Sequence, residues 1–450
     1  MHMSYCSILR ESPAIRLGII LTAVVSAGAG EMLAATGDFD EIKAGFGRLH
    51  TIAGRALIDS NGGNDWDETY EGGRAVDAEL SEAHNAQADV FGNVYIADKD
   101  SHSIRVVRPD GRIWRLAGTN VAGNGDDQPQ PGRSCPLASP NGLHVQPDGV
   151  CYVFDTGNRK VRRVALDGTI TTVFHDPTAA TLGRGLWVHP SGSPIYYSSG
   201  AEVREWKSGS GSRVFAGGFS GGLANLTVSP SGALVVTDRN AHSVYRVNPD
   251  GSRVRIAGNG LASGGGDGQL ATDTGFEEVR GIAFHSGGGY FLATHRGSDL
   301  WYVDPQGKAH SFITGVRNSN PLAGEGSLAS EPGNKLSEIR AISLSPGGDL
   351  IITQSDESNI RVVENTVAVA TGDLAIGPDQ EVGNFALTWR SEADGSFIEG
   401  SDALAAIAWT PLLDSAKPVG GGNFTWHLSS PANSGQGYFR VRPAHRWKLP

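Results

Sequence analysis

Six imperfect copies of one unit fill most of this 450-residue chain, and that repetition limits the fold more than any other feature. The clearest copy runs from Asn141 to Phe174, NGLHVQPDGVCYVFDTGNRKVRRVALDGTITTVF. It contains short runs of alternating apolar and polar residues, separated by turns. Such runs at intervals of about 8–12 residues mark an antiparallel meander. The other copies lie within 89–117, 184–217, 223–258, 280–315 and 340–372. Their third strands align on Ile104, Val161, Val203, Val244, Leu300 and Ile360, spaced 57, 42, 41, 56 and 60 residues apart. The longer spacings come from Gly- and Asp-rich inserts, AGNGDDQPQPGRSCPLASP, AGNGLASGGGDGQLATDTG and GVRNSNPLAGEGSLASEPG, which are expected as loops on one face.

The turns agree with this reading. Pro109-Asp110-Gly111 and Pro249-Asp250-Gly251 separate third from fourth strands, and Pro147-Asp148-Gly149 separates a first from a second. Proline presets φ early in such a turn and glycine supplies the positive φ. A lone four-stranded meander cannot bury both faces, but a closed ring of radially packed sheets can. Phe46-Gly-Arg-Leu-His-Thr-Ile-Ala-Gly54 reads like a fourth strand that precedes the first unit. It is expected to pair with the last unit and close the ring.

The pattern GNVYIAD, HSIRVV, DGRI, LAG and the insert around Gly258–Ala271 resemble NHL repeats over residues 46–372. The resemblance implies an all-β, six-bladed β-propeller. Segments Ala386–Ser391, Trp409–Leu412 and Gly437–Arg442 look like a small β-rich, sandwich-like module found at the ends of exported bacterial proteins. That module is expected over 384–443, joined by a linker at 373–383.

Residues 1–29 read as a cleavable export signal, with Arg10 and Arg16 before the apolar run Leu17–Ala27 and a small-x-small site at Ala27-Gly28-Ala29. The run falls short of the ~20 apolar residues that a spanning helix needs. The expected location is therefore secreted, periplasmic or cell-surface, with no membrane attachment after cleavage. Cleavage would leave Cys135 and Cys151, either as one disulfide or as two buried thiols. The net charge of −11 argues against nucleic acid as a partner, because phosphate binding needs clustered Lys and Arg.

Asp98, Asp155 and Asp238 end second strands, with His102, Arg159 and His242 four residues on. Recurrence in several units assigns them to turns rather than to one active site. The starts of the first strands carry His84, Asn141, Arg184, Ala224, Arg280 and Arg340. In a propeller these converge on one end of the central channel. His84, Asn141 and the three arginines form the candidate ligand site, suited to an anion. The competing reading has each arginine serving loop carbonyls or a loop carboxylate. The acidic insert with Asp59, Asn61, Asp65 and Asp67 is a candidate calcium loop, although it lacks the bidentate glutamate of a complete site.

A resemblance to lactonase-like or amidating-lyase-like propellers implies a channel metal, and the first-strand ring here, with Asn141, is expected to lack the carboxylate that the lactonase-like site needs. No other cofactor is expected. The leading expectation is a binding scaffold for a protein, a glycan or an anionic small molecule. The alternative is a channel-mouth hydrolase or lyase.

Overall fold

The computed structural model describes residues 39–366 except 57–62, 181–182 and 357, together with the backbone of short strands at 6–8 and within 375–443. Residues 37–366 belong to one compact unit. It holds six antiparallel sheets in chain order, a six-bladed propeller. Their inner strands are Ala83–Ala88, Pro140–Val145, Leu186–Val188, Leu223–Val228, Val279–Phe284 and Ile339–Leu344. Each blade runs outward as a meander from its inner strand, and the sixth takes its outer strand from Phe46–Ala53.

The six alignment residues occupy equivalent places. Each is fully buried in its blade's third strand. At each one the pairing with the fourth strand shifts register, a β-bulge that strengthens local twist. Arginine follows the anchor in several blades. Arg105 Nε meets Asp98 at 3.1 Å and Arg162 Nε meets Asp155 at 3.1 Å, with all four side chains fully buried. The same carboxylates receive the backbone N–H of Ser81 and Ala138. The strand-ending aspartates therefore have structural work.

Phe46–Ala53 pairs with Asn359–Asn365, Leu49 opposite Val363 and Ala53 opposite Ile360. This is the expected ring closure. Close approach near the axis explains a glycine: a Cβ on Gly142 would collide with the Arg184 carbonyl of the next blade.

The long inserts depart from expectation. They are not free loops but covers laid along outer strands. Gly72 and Ala75 N–H donate to the carbonyls of Ile113 and Gly111 on blade 1. Gln130-Pro131 pairs with Thr169-Ile170 on blade 2. Gly268 N–H donates to Ala309 on blade 5, and Gly326 and Ala329 N–H donate to Leu49 and Gly47 on blade 6. An outer strand otherwise offers unpaired backbone groups, and a cover of this kind satisfies them. Blades 3 and 4 are preceded by short connections, and their outer strands Gly211–Ala216 and Arg253–Ala257 are the more exposed ones.

Cys135 and Cys151 are buried free thiols in one apolar cluster. Burial pushes the Cys151 thiol up to about 12. Among the described residues no helix is long and apolar enough to cross a membrane. The expected export signal lies outside the described residues except for Cys6–Ile8, whose backbone pairs with Gly437–Phe439. In the second unit, Ala375–Pro378, Phe385–Arg390, Asn423–Leu428 and Lys417–Gly420 form one sheet, and Ser396–Ser401 joins Gly437–Pro443 in another.

Leu49 is 0% exposed at the closing seam. Leu49→Ala should cost about 2–5 kcal/mol by loss of buried contacts and a residual cavity. Denaturant unfolding followed by tryptophan fluorescence measures this.

Candidate functional site: the charged mouth of the channel

A repeated latch builds the mouth. The residue two before each anchor is His102, His242 or Ser358 in blades 1, 4 and 6, with φ of 51°, 48° and 47°. Each accepts a hydrogen bond from the chain entering the next blade. Ser139 N–H donates to His102 Nδ1 at 3.0 Å, Glu278 N–H to His242 Nδ1 at 3.0 Å, and Glu82 N–H to Ser358 Oγ at 2.9 Å. The donors Ser139, Glu278 and Glu82 also have positive φ, 46°, 52° and 56°. Such conformations are uncommon for residues other than glycine and persist where surroundings fix them. The latch fixes the two glutamates directly before the inner strands.

The first-strand residues meet those glutamates. His84 Nδ1 contacts Asn141 Oδ1, and its Nε2 lies 3.3 Å from Glu82. Arg340 Nη2 lies 2.7 Å from Asp356 and 3.6 Å from Glu82. Arg280 Nη2 is 2.7 Å from Glu278, which also takes Arg296 Nε at 3.1 Å. Glu338 is fully buried and pairs with Arg317. The expected lack of a carboxylate is therefore corrected. The acids sit two residues ahead of the aligned ring position, in Glu82-Ala-His84, Glu278-Val-Arg280 and Glu338-Ile-Arg340.

Arg184 differs. Among the described residues it has no ion pair, and its Nη1 is buried without a hydrogen-bond partner. Burial, then the charges of Arg340, Arg280 and Arg239, push its guanidinium well below its ordinary value. Arg239 likewise has no ion pair among the described residues. Burial and the charge of Arg280 also lower Arg340, to about 10.

His295 was not singled out from the sequence. It follows the second strand of blade 5 and is 5% exposed. Its Nδ1 is 3.4 Å from Glu278 and its Nε2 3.8 Å from Glu338, and neither nitrogen makes a hydrogen bond. Burial first, then Arg280, Arg340, Arg184 and Arg317, hold it far below the ordinary imidazole value. It is neutral. The signal for it was positional. Lys99, Arg239 and His295 each directly follow a second strand.

His295, Glu338 and Asp356 bring one ligand atom each within 4.8 Å of one another. Sequence spacing could not show this, because the three come from two blades. The donor types suit a divalent ion, but the surrounding charge does not. Arg317 and Arg340 already neutralise the two carboxylates, and four arginines act on the imidazole. Of the candidate calcium loop, Asp59 and Asn61 lie outside the described residues. Asp67 Oδ1 accepts the Thr69 N–H at 2.8 Å, capping the turn Glu68–Tyr70, and Asp65 N–H donates to Ser81 Oγ at 2.9 Å. Trp66 between them lies under the Arg105 guanidinium, 3.5 Å from the ring centre.

No family model and no curated protein matches the chain. Solved structures do. A structural-genomics protein of unknown function from Bacteroides thetaiotaomicron is 14% identical, with 80% of this chain and 90% of that chain covered and a TM-score of 0.55. An auxiliary nutrient binding protein from Bacteroides ovatus is 14% identical, covering 71% and 76%, with a TM-score of 0.52. A second such protein, from Bacteroides thetaiotaomicron, is 13% identical over 70% and 75%, with a TM-score of 0.51. These likenesses show the propeller fold.

The buried histidines make stability pH-dependent. Burial lowers His84 from 6.5 to about 3, with Arg340 and Arg184 opposing its charge. The unfolded chain binds the proton first, so this contribution is complete above pH 6.5 and is lost as pH falls toward 3. His84→Gln should flatten that slope, measured as unfolding free energy between pH 7 and 4.

Proposed function

We propose that this protein is an exported recognition module of the NHL type and that its channel mouth binds a small anionic molecule. One observation carries the reading: Arg184 Nη1 is buried with neither a hydrogen-bond partner nor a counter-ion among the described residues. Uncompensated buried charge is costly, and an anionic ligand would relieve it. Arg280 and Arg340 keep carboxylate partners, so they frame the site and Arg184 with Arg239 supplies its net positive charge. Guanidinium geometry favours carboxylate or phosphate oxygens, taken two at a time.

The covering inserts bear on the alternatives. Loops committed to outer strands are poor material for a large docking face, which favours the channel over the rim. The fold likeness to nutrient binding proteins is in keeping with small-molecule recognition but does not carry it.

A second reading follows from His295. The imidazole lies between Glu278 and Glu338 beside several arginines suited to a developing negative charge, and a bound anion that offsets those arginines would restore the basicity they suppress. This supports the hydrolase or lyase alternative, with His295 as base.

Calorimetric titration with phosphate, citrate and glucuronate tests the binding reading. Arg184→Gln should weaken the best ligand by about tenfold or more, the cost of one charge-assisted hydrogen bond. Raising salt should weaken it as well. Affinity unchanged in Arg184→Gln, or absent for every anion, would refute the assignment. Turnover of an ester or lactone panel that His295→Gln abolishes would favour the second reading.

A further inference from the structure

The inner strands continue past the charged mouth to the other end of the channel. Arg280 is the second residue of one and Phe284 its last, four residues on, about 13 Å at strand rise. There all six blades line a cavity of about 470 Å³. Its walls include Gln87, His144, Trp187, Asn225, Phe284 and Ser343. No Asp, Glu, Lys or Arg lines it. The two ends of one channel are therefore opposite in character.

Part of this wall is fixed by hydrogen bonds between blades. Ser343 Oγ donates to the Ala86 carbonyl at 2.8 Å. Gln87 Nε2 donates to Leu143 O at 3.0 Å, and Gln87 Oε1 accepts Val145 N–H at 2.9 Å. Those groups are spent on the scaffold. Others are free to serve a ligand. Asn225 Oδ1 accepts the Leu226 N–H at 2.9 Å, but its amide nitrogen has no partner among the described residues. His144 has no hydrogen bond there either. Burial lowers it to about 4, so it is a neutral ring with one donor and one acceptor. The Trp187 and His144 rings meet at 6.2 Å between centroids and 62° between planes, and Phe284 adds a further aromatic wall.

We infer that this end of the channel is a second binding site, for an uncharged molecule with a flat apolar ring and at least one hydrogen-bonding group. The volume falls in the range of small-molecule pockets, about 300–1,000 Å³, and aromatic walls with a few polar groups are their usual lining. Charged molecules are disfavoured because nothing there compensates the loss of their hydration. The flat ring matches Trp187 and Phe284 by stacking or edge contact. Asn225 and His144 supply the directional contacts. This site is independent of the anion site at the mouth.

The experiment is calorimetric titration of the full chain with indole and p-cresol, against benzoate and benzylamine as charged counterparts. Saturable one-to-one binding of a neutral ring is expected, tighter than either charged counterpart by about tenfold or more. Thr227→Phe, which fills the cavity, should remove binding. Asn225→Ala, which keeps the shape, should weaken it several-fold. Arg184→Gln should leave it unchanged, which separates this site from the mouth. Thermal melting confirms that each variant is folded, and Asn225→Ala alone decides if Thr227→Phe is not. Absence of saturable binding by both neutral rings, preference for a charged counterpart, or binding unaltered in the folded variants would overturn the inference.

Discussion

One hydrogen bond, repeated between blades, sets the geometry of the mouth. The N–H of a chain segment entering a blade is received by a turn side chain of the blade before it. His242 does this for Glu278 and Ser358 for Glu82. The acceptor sits in a left-handed turn and so does the donor, so a small change in either would rotate the other. The turn side chains His242 and Ser358 thus act by position. They hold the glutamates, the glutamates hold His84 and Arg280, and the remaining positive charge concentrates on Arg184 and Arg239.

Charge is partitioned along one channel. At the strand starts, carboxylates and guanidinium groups crowd together, and burial with repulsion from the arginines lowers His84 and His295 against the pull of Glu82 on His84. At the strand ends, His144 is neutral by burial alone. The two regions share the same strands and differ in what surrounds them. A low-dielectric wall makes each effect stronger than it would be in water.

The propeller was legible because repetition supplies six independent readings of one pattern. Ile104 or Val203 alone would decide little, but six apolar residues in register fix the third strands and hence the blade count. The closing strand at 46–54 was legible for the same reason, as an orphan copy of a familiar segment. The mouth was half legible. His84, Asn141, Arg280 and Arg340 could be aligned, yet their acidic partners were passed over. The glutamate two residues before His84, Arg280 and Arg340 is visible in the sequence as a recurring Glu-x-Arg or Glu-x-His. For Glu82 and Glu278 its meaning depends on a positive φ that the sequence does not display. The nearness of His295 to Glu338 could not be read, because it depends on how blades 5 and 6 pack. The course of the inserts was not legible, because Gly- and Asp-rich composition marks turns without saying whether the chain lies along the outer strand of the blade that follows.

The seam between Phe46–Ala53 and Asn359–Asn365 has a consequence for synthesis. The first of these strands leaves the ribosome early, and its partner emerges only after residues 54 to 358 have been made. Domains tend to fold as the chain grows, but this ring cannot close until its last blade exists. Through that interval one strand must wait with its backbone groups unmatched, and an unmatched strand is a template for other chains. The contacts that complete the fold are also its longest in sequence, which slows their formation. The waiting strand carries Arg48 and His50 among its apolar residues, a modest restraint on premature pairing.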